Sequence, residues 1–274
     1  MTRAGIIAIS VLIAVAACGG DGGDPDPLDV VLGETTLVII VNPTINDVNE
    51  VAVPAPGVTL GEIEVSTDDG VAGETTDGGL VVLRDVSPGT RVISFDGLDA
   101  SGSVTVTIGD GELREVAVAI DDAGASIMTE VVYELGGQVV ELDPEMPSSA
   151  LANALDQGNI IVFLGEGTYT EDLTFSGSDV TLFGAGAFGG RVTIDGGVTI
   201  EGSRNRIRGA DVTGNVSVPG SDAALTFSRV EGNLQFEGSN GVLLQVQVCG
   251  DIDVGGSGAT ALGSAGLAPL PSGC

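Results

Sequence analysis

GVTIEGSRNRIRGADVTG (197–214), NVSVPGSDAALTFSRVEG (215–232), NLQFEGSNGVLLQVQVCG (233–250) and DIDVGGSGATALGSAGLA (251–268) are consecutive 18-residue segments that superimpose without a gap. The second position holds Val198, Val216, Leu234 and Ile252, and the fourth holds Ile200, Val218, Phe236 and Val254. Period-2 spacing puts both columns on the inner side of one short strand per segment. A Gly-Ser pair recurs at Gly202-Ser203, Gly220-Ser221, Gly238-Ser239 and Gly256-Ser257. It reads as the same corner in every coil, with glycine supplying backbone angles that other residues resist. No segment can bury its apolar side alone, so the repeat predicts stacked coils that share one inner column. Asn215, Asn233 and Asp251 share a register and are expected to form a polar ladder, while the last copy, turning to Ala and Gly, reads as a fraying end.

Upstream, PSSALANALDQG (147–158) predicts a short helix with Leu151, Ala154 and Leu155 on one face and Ser148 or Ser149 as its cap. IIVFLGEGTYTEDLTFSGSDVTLFGAG (160–186) follows, with a Gly-x-Tyr-x-Glu turn at Gly167–Glu171. Helix, strand and turn together resemble the opening of pectin-lyase-like parallel β-helices. The uneven spacing of the aliphatic positions favours the right-handed form over a left-handed hexapeptide helix. We therefore expect a short right-handed parallel β-helix over 147–274, with about 18 residues per coil.

The resemblance implies that an enzyme on this fold would gather acids, arginine and often histidine or lysine on an outer face. The chain has no His and no Lys, and Asp195, Asp211, Asp222 and Glu231 do not recur as a close pair. No catalytic residues are assigned. Arg204, Arg206 and Arg208, with Arg229 one coil later, stand out in a chain with only nine Lys and Arg. They read either as a patch for an anionic polysaccharide or acidic protein, or as local balance for Asp195, Glu201, Asp211 and Glu231. Gly184-Ala185-Gly186 is not a phosphate loop, because no helix follows it and no lysine exists to reach a phosphate.

Residues 35–125 alternate apolar strand-like runs with turn signals: TTLVIIV (35–41), GVTLGEIEV (57–65), LVVLRDV (80–86), TRVISF (90–95) and VTVTIGDGELREVAVAI (104–120). The last, broken at Gly109-Asp110-Gly111, reads as a hairpin, and the whole as a small antiparallel β-sandwich. Thr76-Asp77-Gly78-Gly79-Leu80, then Val86-Ser87-Pro88-Gly89 and Val92, resemble the carboxypeptidase-regulatory-like, or transthyretin-like, sandwiches. That resemblance implies an accessory spacer without catalysis, and Thr90-Arg91 replace the aromatic expected after Pro-Gly. Residues 126–146 are expected to be a linker.

MTRAGIIAISVLIAVAAC (1–18) has one charge at Arg3, an apolar run and small residues before a cysteine. It reads as an export signal, too short for a permanent span. Val15-Ala16-Ala17-Cys18 resembles the lipobox of bacterial lipoproteins, which implies cleavage before Cys18 and lipidation of its thiol. Gly19 in place of the Asp of inner-membrane retention implies outer-membrane sorting, and 19–34, opening GGDGGDPDP, makes a self-repelling tether. Export puts Cys249 and Cys274 in an oxidising compartment, where a bridge between them would pin the tail at roughly 3 kcal/mol in the chain-entropy model.

A formal charge of −30 argues against nucleic-acid partners. The whole is expected to be an all-β, lipid-anchored envelope protein acting as a structural or binding module, with a polysaccharide or an envelope protein as partner and no cofactor. A polysaccharide lyase or hydrolase and an adhesin stabilised by calcium on acidic turns are the alternatives.

Overall fold

The computed structural model describes residues 33–41, 44–47, 50–51, 62–76, 79–97, 101–121, 124–184 and 192–263, with the backbone alone at 44–47, 50–51 and 263. The leader, Cys18, most of the tether and Cys274 lie outside the described residues. Among the described residues, one helix, Ser148–Gln157, accompanies a succession of strands.

The N-terminal unit is a sandwich of two four-stranded sheets. One runs in space Gly124–Glu134, Glu112–Asp121, Thr36–Val41, Leu80–Leu83, and the other Ala72–Glu74, Glu64–Thr67, Gly89–Asp96, Ser101–Ile108. Pairing is antiparallel except between Thr36–Val41 and Glu112–Asp121, which run parallel. SGSVTVTI alternates cleanly because one face meets the core through Val104, Val106 and Ile108 and the other meets solvent. TLVIIV is apolar throughout because its sheet is covered on both faces. Leu37, Ile39 and Val41 point into the sandwich, and Val38 and Ile40 point away from it into a second cluster. Each such side chain contributes about 1.5–3 kcal/mol of apolar burial.

The expected hairpin at Gly109–Gly111 is instead a crossover. Ser101–Ile108 pairs with Gly89–Asp96, whereas Glu112–Asp121 lies in the opposite sheet. Both flanking runs alternate toward the same core from opposite sides, a pattern that looks like a hairpin in one dimension. Glu112 ties the turn by accepting the Gly109 N–H at 3.0 Å, and Thr35 Oγ1 accepts the Gly111 N–H at 3.0 Å. The segment expected to be a linker is also structured. Gly124–Glu134 is an outer strand of the sandwich, and Gln138–Leu142 is the first strand of the solenoid.

The second unit is a parallel β-helix with three strands in a full coil. Its first sheet stacks Gln138–Leu142, Ile160–Leu164, Val180–Gly184, Arg206–Arg208, Ala224–Thr226, Val242–Leu244 and Thr260–Gly263, all parallel. The other two, of five strands each, begin at Gly167–Tyr169 and Leu173–Phe175. The aliphatic columns face the interior as expected, with Val198, Val216 and Leu234 in one and Ile200, Val218 and Phe236 in the next. Ile252, in the decaying last copy, is 40% exposed. The ladder forms: Asn215 Oδ1 accepts the Asn233 N–H at 2.8 Å, and Asn233 Oδ1 accepts the Asp251 N–H at 2.9 Å. In an earlier coil Asp172 Oδ1 accepts the Gly197 N–H at 2.7 Å.

The Gly-Ser glycines serve a different purpose from the one their sequence suggests. None of Gly202, Gly220, Gly238 and Gly256 adopts a left-handed conformation. A Cβ on Gly220 would sit 2.1 Å from the carbonyl oxygen of Gly202, and one on Gly238 1.7 Å from that of Gly220. Close stacking of coils, not backbone angle, demands glycine there. Left-handed residues form their own columns, at Arg204, Asp222, Asn240 and Gly258 and again at Gly209, Phe227 and Gln245.

Each end of the solenoid carries a cover. The helix buries Leu151, Ala154 and Leu155 against the interior of the first coils. Its N-cap is Pro147, with no side-chain bond from Ser148 or Ser149; the Ala150 N–H reaches the Pro147 carbonyl at 2.8 Å instead. At the far end, Thr44–Asp47 pairs antiparallel with Thr260–Gly263 and continues into a hairpin with Glu50–Val51. A segment from the N-terminal part thus covers the last edge of the first solenoid sheet.

Candidate functional site

The four arginines singled out in the sequence do not converge on one patch. Arg206 and Arg208 share the outer side of Arg206–Arg208, with Ile207 turned inward. Arg204 sits in the preceding corner, where it grips Asp179 of the earlier coil through Nε at 2.6 Å and Nη2 at 2.7 Å. This pairing holds the Asp179 carboxyl below the usual carboxylate range. Arg206 donates to the Arg204 carbonyl at 2.6 Å. Arg229 lies in a different sheet, stacked on Asp211 and 3.3 Å from Glu231.

Arg208 is 1% exposed, which removes it from any surface patch. The solenoid's first sheet turns an apolar outer side, including Ile161, Phe183, Ala224 and Leu244, onto the sandwich face formed by Val38, Ile40, Leu113, Ala117, Val131 and Tyr133. Arg208 enters this contact and donates from Nε to Glu115 Oε1 at 2.6 Å. Glu115 Oε2 accepts the Tyr133 hydroxyl at 3.0 Å, which leaves the phenol oxygen to accept from Thr226 Oγ1 at 2.6 Å. Burial, then the Glu115 charge, pushes the Tyr133 phenol well above its ordinary range and keeps it a donor. The guanidinium lies 5.1 Å from the centre of the Phe227 ring, whose residue holds φ 46°, a costly angle for a bulky side chain.

Sequence reading grouped Arg208 with an outer patch, whereas the structure places it inside the contact between sandwich and solenoid. Glu115, Tyr133 and Thr226 were missed. The available signal was apolar residues at outward solenoid positions, Ile161, Phe163 and Phe183, which only a covering layer explains.

A second feature is a recess of about 200 Å³ where the first coil meets the helix. Leu142, Met146, Pro147 and Leu151 form apolar walls, and Asp143, Ser148, Thr170 and Glu171 supply polar groups. The Tyr169 hydroxyl donates to the Leu142 carbonyl at 2.6 Å, and burial, with Asp143 nearby, pushes its pKa up to about 12. Burial also raises the pKa of the Glu171 carboxyl.

Among the described residues, no three or more acidic, Cys or His side chains converge to hold a metal ion. None of their helices is long and apolar enough to cross a membrane. Cys249 is disulfide-bonded, and the chain's two other cysteines lie outside the described residues. Comparison with protein-family models, curated proteins and solved structures returned no match to this chain.

Proposed function

We propose that this chain is an exported, lipid-anchored protein of the bacterial envelope whose folded body is a non-catalytic structural or binding module. The observation that carries the reading is how the scarce positive charge is used. Arg84, Arg91, Arg114, Arg204, Arg208 and Arg229 each close on a carboxylate of the same chain. Arginine here joins strands, coils and units of the same chain, which is the use of a cation in holding a framework together.

Cys18 after Val15-Ala16-Ala17 supplies the anchor, Gly19 favours the outer membrane, and the acidic tether holds the body off a surface of like charge. The disulfide at Cys249 fits an oxidising compartment; with Cys18 lipidated, Cys274 is its partner in this reading. The sandwich fits a spacer and the solenoid a presenting surface, in keeping with the carboxypeptidase-regulatory-like and pectin-lyase-like resemblances. The partner is a polysaccharide or an envelope protein.

The test uses the full chain made in a bacterium that processes lipoproteins. Wild type is expected to incorporate a palmitate analogue and fractionate with membranes, whereas Cys18→Ser loses the label and becomes soluble. Incubated with acidic and neutral polysaccharides, the purified chain is expected to release no product. Unchanged fractionation of Cys18→Ser overturns the anchor, and product release overturns the non-catalytic reading.

A further inference from the structure

The recess beside the helix has features that holding the fold together does not require. Glu171 lines it with a partly desolvated carboxyl that has no hydrogen-bond or ion-pair partner among the described residues. No arginine lines it, in a molecule that pairs its other described arginines inside the chain with such care. Asp143 lines it as a second acid, and the Tyr169 hydroxyl, whose proton goes to the Leu142 carbonyl at 2.6 Å with that of Gly165 at 3.1 Å, keeps an oxygen that can accept a further bond. Met146 forms part of the wall yet is 44% exposed.

Carboxylates over apolar walls match a cation carried on an aliphatic stem, because the stem covers the apolar surface while the head reaches the acids. The size agrees. About 200 Å³ is less than the ~300 Å³ at which pockets for drug-sized ligands begin, so the recess takes a group no larger than one side chain. The charge of −30 concentrates cations around the chain and disfavours anions.

We propose that the recess lined by Asp143, Met146, Tyr169 and Glu171 is a binding site for an alkylammonium group, with its stem along Met146 and Leu151. The ammonium comes from a free aliphatic amine or from a lysine in an extended peptide. Gln138–Leu142, which ends at the recess, is the outermost strand of its sheet and can accept such a peptide as an added strand. The inference rests on the binding half of the proposed function and is independent of the lipid anchor.

The experiment labels methionine methyls with ¹³C in the full chain held in detergent, so that Met146 reports on the recess and Met128 on a distant strand. Titrants are cadaverine, a neutral pentanol control, N-acetyl-lysine methylamide and a short extended lysine peptide. Expected is a saturable shift of the Met146 methyl with the amines but not with pentanol, an unmoved Met128, and at least tenfold weaker binding in Glu171→Gln and Asp143→Asn. Glu145→Gln, outside the recess, keeps wild-type affinity. Tighter binding of cadaverine identifies a free amine as the ligand, and tighter binding of the peptide identifies strand addition. No saturable shift, an equal response to pentanol, or unchanged affinity in both acid variants overturns the site. The membrane fractionation of Cys18→Ser judges the anchor separately, so the two readings fail distinguishably.

Discussion

Arg208 and Glu115 are nearly inaccessible to water, and removing one alone strands the other's charge. Arg208→Leu is expected to cost about 3–5 kcal/mol in urea unfolding, whereas the double change Arg208→Met with Glu115→Leu recovers most of it. Such a result would mean that the pair fixes how the two units meet more than it strengthens their contact. A second residue test concerns Asp69. Its carboxylate accepts bonds from the Thr67 hydroxyl and the Ser87 N–H and faces Arg91, all of which hold its pKa below the ordinary value. A depressed folded pKa stabilises above the unfolded value and loses that contribution as pH falls. Asp69→Asn should therefore lower Tm at pH 7, with the gap to wild type narrowing below about pH 4 in thermal scans.

In the solenoid strands, the inward columns at Val198 and Ile200 were legible because alternation is a local property, and the repeat multiplied the signal. The role of the Gly-Ser glycines was not, because the atom that excludes a Cβ belongs to the previous coil. Turn demand and close approach leave the same letter in a sequence. Gly238→Ala is expected to cost about 3 kcal/mol or more by overpacking against Gly220, while Gly255→Ala, with nothing within 4 Å of the added carbon, changes stability little. Chemical unfolding of the two variants separates these cases. The Gly109–Gly111 crossover was misread for a related reason: alternation reports which side of a strand is buried, and not which sheet holds it. Glu115 was equally silent in the sequence, because its partner lies 93 positions away.

For the molecule as a whole, the shared cluster around Val38, Tyr133 and Phe183 makes the sandwich and the solenoid depend on each other. Calorimetry is expected to give one transition for the wild-type full chain and two, or a broadened one, for Arg208→Leu; two well-separated wild-type transitions would show that the contact is marginal. The hairpin that closes the last coil sets the order of events in the molecule's life. Thr44–Asp47 is among the first described segments to be made, and Thr260–Gly263 among the last. The early segment has no edge to join until the last described coil exists, so a chain that lacks that coil cannot complete the fold. The closing step therefore belongs to the assembled chain and not to any local segment of it, because its two halves lie at opposite ends of the described sequence.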